Sequence, residues 1–383
     1  MEKILNFTDT ETKTVEETTD FFDLKIITDG KEPKEQKVKR DNEDVSVGCF
    51  VLLTDSKEMQ VAEGSYNIDL LGNPMYQYVT RACPTVPACL KFDETEGTVV
   101  GTIRPYLKNT EYSLVLFSDT PLITKANILN ILDFVKNKGL NVCKLTRGWV
   151  FKNDYIKRVE EVYAPSTYYF EEEDFLMAAN YKQLHLISEI LKNRIITYHM
   201  NNGVYFKDPD NIYIEANVSI GGGTIVEPFV SFVGDTDIGE NVFIGAFSSL
   251  KNAKILTSAR VEGAYIDGAV IMEKAVIKAN AKLMSQTAIK EGSIIQEDSV
   301  ISNAIVGEYS MIGRNSIINY LVSNENVCIG DNCKIIGEES APVNINKGAT
   351  LNDAVTVMSG VTIKDGENIK FGEIIVKEGK KNG

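Results

Sequence analysis

Between Ile214 and Leu250, aliphatic or aromatic residues fall six apart without a break: Ile214, Ile220, Val226, Phe232, Ile238, Ile244 and Leu250. An amphipathic helix repeats about every 3.6 residues and a strand alternates every two, so this period marks a coiled repeat. Ile271, Ile277, Leu283, Ile289, Ile295 and Ile301 form a second such run, and Ile345, Leu351, Val357, Ile363 and Ile369 a third. Four residues after most of these stands a small or β-branched side chain, as in IGGGTI, IKANAK, IKEGSI and IQEDSV, with Gly, Asp, Asn or Glu between. Each unit reads as a short strand plus a turn, and the chain as a β-solenoid. The aliphatic residue fills a narrow interior, the small one packs beside it, and Gly or Asn takes the turn backbone. At three units to a coil, this stretch makes roughly nine triangular coils. The phase slips near residues 251–265, 318–329 and 336–345, which read as loop insertions.

A chain of 383 residues suggests two domains, and 43% hydrophobic content is ample for packed cores. No stretch approaches ~20 uninterrupted apolar residues. The opening MEKILNFTDTETKTVEETTD is too polar for a signal peptide, so a cytoplasmic protein off the membrane is expected. Cys49, Cys83, Cys89, Cys143, Cys328 and Cys333 lack the paired spacing of a metal site and read as reduced structural thiols. A net charge of -14 opposes nucleic-acid binding, which needs a basic face; a small molecule or a protein is the expected partner.

Upstream of the coil the periodicity changes. Gln183–Met200 carries Leu184, Ile187, Ile190, Leu191 and Ile195 on one helical stripe, and Asn201-Asn202-Gly203 supplies its stop. Val47–Leu53 (VGCFVLL) and Tyr112–Phe117 (YSLVLF) read as buried strands, Met75–Ala82 as a short helix, and Thr124 as the start of a helix to Lys138. Strands alternating with helices indicate an α/β domain with a mainly parallel sheet. The expected division is a mobile or peripheral segment over 1–45, the α/β domain over 46–182, a linking helix over 183–204, the solenoid over 205–370 and a tail over 371–383.

Chemistry in such a sheet sits just past the carboxyl ends of strands, where LVLFSDTPLIT places Asp119. Its carboxylate could hold Mg2+ against a nucleotide's phosphates, or it could begin a turn or cap the following helix. Here the residues resemble a known family. FSDTPLIT is similar to the aspartate motif of bacterial bifunctional N-acetylglucosamine-1-phosphate uridyltransferases, which also acetylate glucosamine-1-phosphate. NIDLLGNPMYQYVTRA at 67–82, AANYKQLHLISEILKNRI at 178–195 and FKDPDNIYIEANVSIGGGTIVEPFVSFVGDTDIGENVFIGAFSSLKNAKI at 206–255 reinforce the resemblance. From about residue 260 to 355 the coil also resembles that of ADP-glucose pyrophosphorylases. The resemblance implies a shortened, dinucleotide-binding-like nucleotidyltransferase domain followed by a left-handed parallel β-helix of hexapeptide repeats that trimerises. It also implies Mg2+ as cofactor, UTP and N-acetylglucosamine-1-phosphate as substrates, and a role related to UDP-N-acetylglucosamine synthesis.

Matched residue by residue, the family's Gly-rich phosphate loop becomes LLTDSKEMQVAEGSYNIDLLGNP. Its glycines fall on Thr54 and Ser56, its Arg on Glu58 and its Lys on Ser65; Lys57 is adjacent. A carboxylate at the arginine position would repel a triphosphate. Gly97-Thr98 resembles the uracil-reading pair, or is a simple turn. The second metal ligand, an asparagine, falls on Ala179 with Asn180 one position on, so a metal held by Asp119 and Asn180 needs a local slip. The segments between Ala82 and Gly97 and between Trp149 and Ala179 are shorter than the family's. Acetyl transfer commonly uses a histidine base, and the two histidines, His185 and His199, both fall on the linking helix, His199 as a C-terminal residue favoured by the helix dipole. The family's Asn-Tyr-Asp-Gly loop is missing, Tyr320 being its nearest imitation.

Three functions follow as expectations. The first is a nucleotidyltransferase impaired in uridyl transfer and lacking acetyl transfer, drawing on Lys57 or Arg104 for charge. The second is a noncatalytic trimeric scaffold or regulatory subunit that pairs with an active homologue. The third is an acyltransferase with a non-histidine site.

Overall fold

The computed structural model describes residues 46–377 apart from Gln60, Glu160, Glu161, Tyr163, Pro165, Tyr169, Phe170 and Glu171. The segment 1–45 and the end of the 371–383 tail lie outside the described residues. The chain divides into two compact units: described residues up to Ile68 with Pro74–Ile187, and Asp69–Asn73 with Ser188 onward.

The first unit is built on a six-stranded sheet. Its strands are β1 (Val47–Leu53), β4 (Ala88–Lys91), β5 (Tyr112–Phe117), β6 (Val142–Leu145), β7 (Gly148–Lys152) and β8 (Ser166–Tyr168); the short β2 (Asp69–Leu70) and β3 (Asn73–Pro74) pair with each other elsewhere. The order β4-β1-β5-β7-β6-β8 is parallel throughout except for β7, which runs against both neighbours. A continuous apolar run suits a strand covered on both faces. Along β1, Val47, Cys49 and Val51 enter one core with Val79, Ala82, Ile128, Ile131 and Val135, while Phe50 and Leu52 enter another with Val100, Ile103 and Ile156. These helical residues belong to α1 (Met75–Ala82), α2 (Val99–Ile103), α3 (Lys125–Lys138) and α4 (Asn153–Ile156). Thr124 caps α3, its hydroxyl accepting from the Asn127 N–H at 3.2 Å, and Gly139 ends the helix in the left-handed region at φ 59°.

The second unit is a parallel β-solenoid of about ten coils, the architecture of the left-handed parallel β-helix. One face is a ten-stranded ladder from Tyr205–Phe206 to Asn368–Ile369, and the other two alternate within a 17-stranded sheet. Every member of the three six-residue runs points inward and is buried. Two of the three phase slips are contractions rather than insertions. Ile238 stacks on Ile255 and Ile255 on Ile271, because corners drop one residue in the first of these coils and two in the second while the interior side chains keep their column. Ile318 stacks on Ile335 in the same way. Only the slip at 336–345 is an insertion, a small loop closed by an antiparallel bridge between Glu338 and Ala341.

The small residues do more than save space. Ser299 Oγ donates to the Gly313 carbonyl at 2.7 Å and accepts from the Ser316 N–H at 3.3 Å, so one buried hydroxyl clasps a coil to its successor. Thr224 repeats this with Gly239 O at 2.9 Å and Val242 N at 3.1 Å. A carbonyl reached this way needs close backbone approach: a Cβ on Gly239 would lie 2.9 Å from the Thr257 nitrogen of the next coil. Such a glycine is therefore required by stacking, whereas many turn angles are taken by residues such as Asn241 (φ 55°) and Asn280 (φ 59°). From Ala253 to Ala281 the inner position is alanine at 253, 259, 264, 269, 275 and 281, and the clasp is missing there.

Helix α5 (Tyr181–Asn201) ends as expected, with Gly203 at φ 87° and Val204 N–H donating to the His199 carbonyl at 3.0 Å. His199 departs from the expectation of a cation at a helix end. It is 3% exposed with Nδ1 unpartnered, and burial, opposed by the Val218 and Ile220 backbone, pushes its imidazole down to about 4. Desolvation outweighs the helix dipole, and the ring stays neutral. His185 is exposed on the same helix.

A folded-state value below the unfolded one means that the unfolded chain takes the proton first. The His199 contribution is thus complete above pH 6.5 and is lost as pH falls towards about 4. Urea unfolding of the solenoid signal should show about 3 kcal/mol lost across that window, and His199→Leu should flatten the loss. Ser299→Ala should cost about 1–3 kcal/mol by the same measurement, against about 0.5 or less for outward-facing Ser231→Ala.

Candidate functional site

The carboxyl ends of β1 and β5 lie side by side, because Leu52 pairs with Phe117. The chain leaves β1 through Thr54 and β5 through Ser118-Asp119. The Ser118 hydroxyl receives the Thr54 N–H at 3.1 Å, and the Thr54 hydroxyl reaches Asp119 Oδ2 at 3.3 Å. Two of the residues singled out from sequence are thus brought together. The Asp119 backbone carbonyl accepts from the Ala178 N–H at 2.8 Å, bringing the entry to α5 alongside.

The group that dominates this corner was not anticipated. Leu116 is in register with Gly148, so the two-residue tip of the β6–β7 hairpin, Thr146-Arg147, lies against the end of β5. Arg147 grips Asp119 with both arms, Nε to Oδ1 at 3.3 Å and NH2 to Oδ2 at 2.7 Å, and its NH1 reaches Glu94 at 2.6 Å. The guanidinium lies over the Phe117 ring, 4.1 Å from its centroid. The Arg147 and Asp119 side chains are 19% and 13% exposed, and Glu94 is 56% exposed. Burial opposes the arginine's charge, and the two carboxylates outweigh it, holding the guanidinium above its ordinary value. A bidentate pair shielded from solvent and stacked on an aromatic face is a strong arrangement for one cation.

The loop after β1 is bound to itself. Ser56 N–H donates to Ser65 Oγ at 2.8 Å, Ser65 N–H to Asp55 Oδ1 at 2.7 Å, and the Glu58 and Met59 N–H groups to Ser56 Oγ at 3.2 and 3.3 Å. Ser56 Oγ in turn donates to the Ala179 carbonyl. A phosphate cradle needs free, converging N–H groups, and here four of them have internal acceptors. Lys57 and Glu58 project from this loop, exposed.

The remaining candidates lie outside this cluster. Thr98 is the N-cap of α2, accepting from the Gly101 N–H at 3.1 Å, and Gly97 stands exposed before it with room for a side chain. Asn180 Oδ1 accepts from the Gln183 N–H at 3.0 Å, the pattern of a cap on α5. Arg104 is spent on the backbone, its NH2 donating to the Ile156 and Val159 carbonyls at 3.1 and 2.5 Å. Tyr320 occupies a solenoid corner at φ 51°.

These residues do not fit Mg2+. Hard cations take several free oxygens, whereas Asp119 is held by an internal cation and Asn180 by its helix. Among the described residues no group of three or more His, Cys, Asp or Glu side chains is placed to hold a metal ion. Among them also, no helix is long and apolar enough to cross a membrane.

Comparison with known proteins supports the resemblance over part of the chain. The chain is 36% identical over 123 residues to the bifunctional protein GlmU of Alkaliphilus metalliredigens, covering 32% of this chain and 27% of that protein. Against the GlmU proteins of Latilactobacillus sakei and Enterococcus faecalis the identities are 35% over 102 residues and 34% over 140, covering 27% and 36% of this chain and 22% and 31% of theirs. The chain therefore spans about a quarter of the length of the curated relatives it matches, and over that span it is similar to GlmU. No family model matches it. A solved putative acetyltransferase from Desulfovibrio desulfuricans G20 aligns with 46% of this chain and 72% of its own at 10% identity and a TM-score of 0.13, too low to argue from.

Removing the guanidinium would leave a largely buried carboxylate unpaired. Arg147→Ala should lower the stability of the first unit by about 3 kcal/mol in chemical unfolding, and Arg147→Lys should recover only part, having no fork to span both oxygens.

Proposed function

We propose that this chain is a divergent member of the sugar-1-phosphate nucleotidyltransferase line, related to UDP-N-acetylglucosamine synthesis, that does not itself transfer a uridylyl or an acetyl group. On this reading it is a noncatalytic trimeric scaffold or regulatory subunit of the cytoplasm that pairs with an active homologue. The observation that carries the proposal is the ion pair between Arg147 and both oxygens of Asp119. A catalytic aspartate of this family would offer those oxygens to a metal, and here a side chain of the same chain takes them. The self-bonded loop after β1 and the engagement of Arg104 by backbone carbonyls point the same way. For acetyl transfer, support comes from the sequence, where no histidine lies downstream of His199.

Isothermal titration with UTP and Mg2+ should give no heat at millimolar nucleotide, for the wild type and Asp119→Ala alike. Conversion of UTP and N-acetylglucosamine-1-phosphate to the nucleotide sugar and pyrophosphate would overturn the proposal. So would saturable UTP binding lost in Asp119→Ala. Light scattering should return the mass of a trimer, and copurification from the native cell should recover the active homologue.

A further inference from the structure

At one corner of the solenoid each coil sets a residue of left-handed backbone directly before its small inward residue. Successive coils place Phe229, Phe247, Gly263 and Asn280 there, ahead of Val230, Ser248, Ala264 and Ala281, and later coils continue with Asp298, Asn315 and Asn332. Their φ angles lie between 51° and 67°. Gly, Asn and Asp take this conformation readily, whereas a bulky side chain is strained in it. Two phenylalanines are therefore the strained choice at a corner that asparagine fills elsewhere. Burial does not offset the strain, since Phe229 is 54% exposed and Phe247 73%. Their rings stack on each other, 8° from parallel with centroids 5.2 Å apart. Backbone strain kept without burial points to a use outside the fold.

The stack stops at Gly263. A Cβ on this glycine would meet the Ala246 carbonyl oxygen at 3.1 Å and no other atom within 4 Å, so the space beyond the backbone is open. Asn280 follows directly, its N–H donating to the Gly263 carbonyl at 2.9 Å and its side-chain Nδ2 to Asp298 Oδ1 at 3.2 Å. Coils rise about 4.8 Å each, so Phe247 and Asn280 stand about 10 Å apart along the axis with one rung missing between them. That gap has room for one more ring in the same stack. Tyr309 gives the contrast: its φ is 53°, but its ring lies on Gly292, where a Cβ would come within 2.6 Å of it, so this corner is covered from within.

The charges beside the gap are already paired. Lys207 holds Glu227 at 2.7 Å, Glu227 also accepts from the Ala246 N–H at 3.2 Å, and Glu262 lies between Arg260 and Lys278, the latter at 3.1 Å. Arg260 also covers the Phe243 ring, 3.9 Å from its centroid. These three cations are all engaged, so the electrostatics match an uncharged ring rather than one that carries a phosphate.

We propose that the gap over Gly263 docks one uncharged aromatic side chain of a protein partner, as a third ring stacked on Phe247. Offset-stacked rings attract beyond the area they bury, and aromatic anchors carry much of the binding energy of protein interfaces. The incoming ring offsets the strain at the corner, and Phe229 holds the Phe247 ring parallel to it.

The test is an NMR titration of the full chain, its alanine methyls labelled, with N-acetyltryptophanamide, the peptide-like form of a single aromatic side chain. The Ala246 methyl signal should shift and saturate at millimolar probe, and N-acetylalaninamide should leave it in place. Gly263→Asn, which fills the gap with the residue the next coil uses, should weaken probe binding by about tenfold or more. Phe247→Asn should do the same while the melting temperature stays within about 2 °C of the wild type. The slot shares no residue with the Asp119 corner, so UTP binding there would leave these results unchanged. An equal response to both probes, full binding to Gly263→Asn, or tighter binding of adenosine monophosphate or methyl glucoside would overturn the proposal. So would a collapse of the melting temperature in Phe247→Asn, which would make the stack a structural element, or a fall in that variant's assembly mass by light scattering, which would place the rings between copies of this chain.

Discussion

The interior of a triangular coil is too narrow to hold more than one large side chain from each face, and no coil can bury that side chain without a coil above or below it. This nearest-neighbour constraint organises the second unit. It explains why the column of inward residues persists through the places where the numbering slips, since a corner can lose a residue but a column cannot lose a member. It also explains why serine and threonine recur inside so tight a space. A buried hydroxyl is costly without partners, and those of Ser299 and Thr224 find both a donor and an acceptor in the next coil.

The first unit turns on a different competition, for the two oxygens of one carboxylate. Asp119 stands where an open α/β sheet places its ligands, yet its partner is supplied from within. A guanidinium fixed on a hairpin and stacked on Phe117 is already oriented, whereas a hydrated ion must first shed water. The neighbouring loop follows the same logic. Ser56, at a glycine position of the resembled loop, and Ser65, at its lysine position, provide hydroxyls that accept from the Ser56, Glu58 and Met59 N–H groups.

Much of this was legible in the residues. Period six located the inward column, YSLVLF bounded its strand to the residue, and Thr124 and Gly203 marked helix ends through their local chemistry. Thr54 and Asp119 could be paired because both follow buried strands. Arg147 could not be found this way. It sits far along the chain from Asp119, on a hairpin running antiparallel to β5, and only the register of Leu116 with Gly148 brings it there. His199 was misjudged for a related reason: a helix end predicts charge, but its burial against Val218 and Ile220 is a tertiary fact. The phase slips were misread because a contraction and an insertion disturb a periodicity alike.

The alanine stretch from Ala253 to Ala281 has a mechanical consequence. Coils in a solenoid are coupled in series, so a force along the axis passes through each junction in turn. Hydroxyls bridge successive coils before this stretch, as at Thr224, and after it from Ser293 to Ser316, whereas the last coils carry Val327, Cys333, Ala349, Val355 and Val361 at the inner position. Through the alanine stretch the junctions rest on the strand ladder and apolar contact alone. Resistance to bending is therefore unevenly distributed along the solenoid, greatest where hydroxyls cross from coil to coil, around Thr224 and from Ser293 to Ser316.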